Sequence, residues 1–184
     1  MWLQKSSALG LLALAVTAGT CSAGTIGIPV TGVLNFGVPS TVNYFDPALG
    51  QVPAGAPNSV GPTVITAVAP IDFQYADTSH TLDADFGVGT LTITEASVGT
   101  IKGTSEWFMT FTGLSAGGAV TGAFLTSNMF PDLTLAFSAD SVVVTMTDDG
   151  VGIPVSGFSA TIQIVQTATP EPWTIGLMTR SSTA

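Results

Sequence analysis

The chain has 184 residues, with 12 acidic against 3 basic side chains and a formal net charge of −9. That balance excludes nucleic acid and an anionic membrane surface as partners, because both require clustered Lys and Arg. A single cysteine, Cys21, excludes a disulfide framework and a thiolate metal site, so stability must come from packing.

The first element in chain order is a leader. Lys5 supplies a positive start, and Ala8 to Val16 form an unbroken run of apolar residues and glycine, the pattern of a signal peptide. Thr17, Gly19 and Thr20 interrupt the run well before the roughly 18 apolar residues of a spanning helix. Cys21 and Ala23 offer the small side chains that a signal peptidase accepts, which places cleavage between Ala23 and Gly24. Thr20 is bulkier than a lipoprotein signal tolerates before its cysteine, which disfavours lipidation of Cys21. The expected organisation is a signal peptide over 1–23, one β domain over 24–167 and a tail over 168–184. Loss of Lys5 leaves Lys102 and Arg180 as the basic residues of the exported chain.

Helical stripes are absent after residue 24 and period two takes their place. A strand is expected near Thr41–Phe45 and another near Thr63–Ala67, separated by a loop that carries Pro47, Pro53, Pro57 and Pro62. Ile71, Phe73 and Tyr75 then alternate with polar residues, as do Leu82, Ala84 and Phe86, and Leu91 and Ile93. Trp107, Met109 and Phe111 follow, then Leu133, Leu135 and Phe137, Val142, Val144 and Met146, and finally Phe158, Ala160, Ile162 and Ile164. Turn signals separate them at 77–80, Gly87-Val88-Gly89, 113–118, Pro131-Asp132 and Asp148-Asp149-Gly150. Many short strands with polar alternation predict an all-β fold, an antiparallel β-sandwich or jelly-roll-like single domain.

Few residues suggest chemistry. Gly113-Leu114-Ser115-Ala116-Gly117 has the spacing of a nucleophile elbow, but that device needs a following helix and a later histidine. The chain's one histidine, His80, lies upstream and reads as a solvated turn residue. Glu95 and Glu106 form a candidate carboxylate pair of glycosidase type, but chance supplies such pairs and both read as solvated strand ends. No catalytic residue is assigned and no enzyme is expected. Calcium is the more plausible ligand, held by acids of the region from Asp72 to Asp85, Asp83 and Asp85 among them, or by Asp148 and Asp149. Only one of the neighbours Trp107 and Phe108 can face the core; the pair reads first as packing, the other ring being exposed or covering a second layer, and is the best place to look for a carbohydrate-binding surface.

The tail reads Ala168-Thr169-Pro170-Glu171-Pro172-Trp173-Thr174-Ile175-Gly176-Leu177-Met178. With the leader and the Thr/Gly-rich β domain, it resembles the sorting tail of PEP-CTERM proteins, onto whose motif Pro170, Glu171 and Pro172 map. The resemblance implies export in a Gram-negative bacterium, to the cell surface, the extracellular space or the periplasm. It further implies an exosortase-type sorting machinery as partner and association with an exopolysaccharide matrix. The family pattern continues with a membrane span and an arginine cluster. Here the apolar stretch ends at Met178 and only Arg180 follows, so the tail reads as truncated or degenerate and gives the mature chain no stable membrane span. The expected function is that of a non-enzymatic surface or matrix protein, with a carbohydrate- or calcium-binding module as the alternative.

Overall fold

The computed structural model describes residues 24–37, 42–49, 61–67, 71–78, 80–97, 106–130, 132–147 and 157–168. Among the described residues ten strands are formed: β1 (Pro29–Phe36), β2 (Thr63–Val64), β3 (Phe73–Ala76), β4 (His80–Gly87), β5 (Thr90–Ser97), β6 (Trp107–Thr112), β7 (Val120–Asn128), β8 (Leu133–Phe137), β9 (Ser141–Met146) and β10 (Phe158–Gln166). They make two five-stranded sheets, in the orders β2-β1-β6-β9-β8 and β3-β4-β5-β10-β7. Every strand pairing is antiparallel. The expected β-sandwich is therefore the fold. Among the described residues, no helix is long and apolar enough to cross a membrane.

Alternation explains which faces meet. Met109, Phe111, Val142 and Val144 of one sheet are fully buried, as are Ala84, Leu91, Ile93, Ala160 and Ile162 of the other, while intervening Thr, Ser and Gln residues face outward. An aromatic cluster fills the middle of the sandwich. The Phe73 and Phe111 ring centroids lie 5.4 Å apart, Phe86 and Phe111 5.1 Å, and Phe45 and Phe73 5.5 Å. Tilted and edge-on rings at such distances add to the area they bury.

Two strands escaped the sequence pattern. In β1 the inward positions are Val30, Gly32, Leu34 and Phe36, so a glycine stands where an apolar side chain is expected. A Cβ on Gly32 would lie 2.6 Å from the Phe73 ring; the ring occupies the space that a side chain would fill. In β7 the register against β10 shifts twice, between Thr161 and Ile162 and between Val165 and Gln166. Each shift inserts a residue and reverses the faces of the strand, which erases period two from the sequence.

The strand expected near Thr41–Phe45 is not formed over its described residues, 42–45, which make a turn-like segment. Asn43 is the reason. Its Oδ1 accepts the Leu34 and Phe45 amides, both at 3.0 Å, and its Nδ2 donates to the Gly32 carbonyl at 3.0 Å. A side-chain amide thus pairs with the β1 edge where a strand would have done so, and Phe45 turns into the core. The strand expected over Thr63–Ala67 is only two residues long. Most of the proline-rich loop, Asp148-Asp149-Gly150, the leader with Ala23, and the tail with Pro170, Glu171 and Pro172 lie outside the described residues.

Candidate functional site

One group of polar side chains enters the sandwich at the end where β1 and β3 finish, β4 and β6 begin and β5 finishes; buried Thr25, Asp72 and Gln166 lie elsewhere, each bonded to main chain. On β4 the inward parity of Leu82, Ala84 and Phe86 extends to His80, and on β5 that of Leu91 and Ile93 extends to Glu95. Trp107 opens the inward row of β6 on the opposite sheet. Glu95 pairs with Leu82 on one side and Phe158 on the other, and is only 6% exposed.

Burial pushes the Glu95 carboxyl above its ordinary range, against the weaker favourable influences of His80 and the Trp107 indole. Trp107 is 1% exposed. The indole favours the Glu95 charge, yet neither Glu95 Oε2 nor Trp107 Nε1 makes a full hydrogen bond. An acceptor and a donor from opposite sheets are thus held in the interior, each without a full partner.

Around this pair the remaining groups are engaged with one another. His80 donates its amide to Asp77 Oδ1 at 2.7 Å, and its Nδ1 lies 3.2 Å from the same oxygen. Tyr75 donates its hydroxyl to Asp77 Oδ2 at 2.9 Å. Burial and that bond push the tyrosine pKa up. Phe36, Tyr44 and Tyr75 pack on each other with centroids 5.0 to 6.1 Å apart, and Trp107, Phe130 and Phe158 make a second aromatic chain.

This arrangement corrects two expectations. His80 is not a solvated turn residue but the half-buried first residue of β4. Glu95 is not a solvated strand end but an inward carboxylate. Glu106 stands one residue before Trp107, and alternation directs it to the other side of β6, so the structure does not bring Glu95 and Glu106 together. Trp107 is the member of its pair that enters the core. Phe108 is half-buried on the outer face, opposite Asn35 and Thr145.

The other candidates lie elsewhere. Ser115 sits on a 3-10 turn, Leu114–Gly117, behind Gly113 at φ 90°. Asp140 accepts the Ser115 amide at 3.0 Å, the Ser115 hydroxyl, and the Gly113 amide at 3.2 Å. Those bonds, led by the Ser115 hydroxyl, hold the Asp140 carboxyl below its ordinary range.

The calcium candidates Asp72, Asp83 and Asp85 lie near one another across β4 and the start of β3. Burial raises all three, and the charge on Asp85 raises the other two further. Asp72 is spent on the fold, its Oδ2 accepting the Phe86 amide at 2.8 Å. Among the described residues, no three His, Cys, Asp or Glu side chains converge to hold a metal. Comparison with protein-family models, curated proteins and solved structures gave no significant match.

Proposed function

We propose that this chain is an exported, non-enzymatic surface or matrix protein, sorted through a tail of the PEP-CTERM type, with the sandwich serving as a structural module. The observation that carries this is the employment of its reactive side chains. Ser115 is bound to Asp140, His80 to Asp77 and Asp72 to the Phe86 amide, so each of these three stabilises a turn or a strand end. Tyr44, Tyr75 and Phe36 likewise spend their ring surfaces on each other. Orphaned Glu95 stands apart, buried and facing an indole rather than a second carboxylate.

A calcium-binding module is the second reading, favoured by the charge of Asp85 beside both Asp72 and Asp83, which a hard cation would offset. The test is recovery of the protein from the extracellular polysaccharide fraction of the producing cell, with that polysaccharide assayed for cleavage. Co-fractionation without turnover is expected. Turnover that disappears in Glu95→Gln would replace the structural reading with a catalytic one.

A further inference from the structure

The two sides of the sandwich are guarded unequally. On one side the edge strands are short, two residues in β2 and four in β3. On the other side stand β7 and β8, with nine and five residues. Neither contains a charged residue or a proline: residues 107–131 are without Asp, Glu, Lys or Arg, and after Asp132 the next charge is Asp140. Charge, proline, brevity and bulges are the usual protections of an open edge. The two bulges of β7 blunt that strand, whereas β8 pairs with β9 in unbroken register from Leu133 to Phe137. Among the described residues, nothing pairs with the outer edge of β8.

The core reaches the surface beside that edge. Phe137 lies opposite Val142 and Leu125 opposite Ile162, so both belong to the inward faces, yet they are 48% and 37% exposed. We propose that β8 is a self-association edge, at which two copies of this chain pair β8 with β8, antiparallel about Leu135, to join two five-stranded sheets into one.

Charge selects this occupant. A basic partner would seek the acids, whereas two copies that each carry −9 must meet where neither is charged. The two-fold register sets Leu135 opposite Leu135, Leu133 opposite Phe137 and Thr134 opposite Ala136. It places Asp132 opposite Ser138, so no two acids face each other. Main-chain groups left open along β8 gain partners, and the partner's Leu133 covers Phe137. Five paired residues a side fall short of the roughly 1,200–2,000 Å² buried in a stable interface, so the association is weak and concentration-dependent. The inference goes beyond the proposed function and does not depend on it.

The experiment is analytical ultracentrifugation of the full chain carrying Cys21→Ser, from about 1 µM to about 1 mM, a range suited to weak pairing. A monomer–dimer equilibrium is expected. Ala136→Lys, an outward exposed position, should weaken it at least about tenfold by lodging a lysine in the paired edge. Thr94→Lys, exposed on central strand β5, should leave it unchanged; matched melting temperatures show that both variants fold. In the same background, Leu135→Cys should crosslink under mild oxidation, because directly opposed residues meet disulfide geometry, and Thr134→Cys should not. A monomer at every concentration overturns the proposal. So does a dimer that is indifferent to Ala136→Lys, or one that crosslinks equally through both cysteines.

Discussion

Replacing Glu95 by Gln should stabilise the protein at neutral pH, an unusual result for a buried polar position. The carboxylate is 6% exposed, its Oε2 has no hydrogen-bond partner, and burial outweighs the help it receives from His80 and Trp107. The side chain of His80 is itself 29% exposed, so water screens its attraction. The glutamine keeps the shape and remains polar, so what it spares is the excess that a poorly partnered buried charge costs over a neutral polar group, about 1–3 kcal/mol. For a domain of this size the gain corresponds to a rise in Tm of about 3–8 °C.

The pH dependence gives the sign. A carboxyl raised in the folded state contributes stability that is present below its unfolded pKa and lost as pH climbs through the folded value. The advantage of Glu95→Gln should therefore be largest at pH 7 to 8 and shrink as the pH falls toward the ordinary carboxylate range. Scanning calorimetry of both proteins across that window is the assay. A variant that is less stable than the parent at every pH would refute the reasoning, since it would mean that the charge is well compensated where it lies.

Three other outcomes follow from the geometry. Gly32→Ala should destabilise by about 1–3 kcal/mol, as overpacking does, because its Cβ meets the Phe73 ring at 2.6 Å; urea unfolding measures this. Asp140→Ala should lower the Tm by about 1–3 °C at neutral pH through loss of the Ser115 and Gly113 bonds. Because the Asp140 pKa is depressed, its contribution should disappear as pH falls through the folded value, and the two melting curves should converge in acid. Millimolar calcium should leave the Tm within about 1 °C; a rise of several degrees, reversed by chelator, would signal binding to the folded state and favour the calcium module.

Period two made the central strands legible, since Leu91 and Ile93, Met109 and Phe111, and Val142 and Val144 are both the sequence alternation and the inward rows. It failed where a side chain or a backbone irregularity replaced the expected group. Gly32 hides β1 because the Phe73 ring fills its place, the bulges of β7 reverse its faces, and Asn43 imitates a strand with its amide. The candidate site was obscured for a related reason. A carboxylate suggests an outward position, and only the parity of Leu91 and Ile93 carried one step further would have sent Glu95 inward. Ser115 was readable as a turn residue, but its bond to Asp140 depends on a separation of 25 residues that no local pattern encodes.

Export is the claim on which the surface or matrix account rests, and intact mass measurement of the protein recovered outside the cytoplasm tests it most directly. The account predicts a species that begins at Gly24, after cleavage at Ala23. A chain that retains Met1 and remains with the cytoplasmic fraction would contradict it.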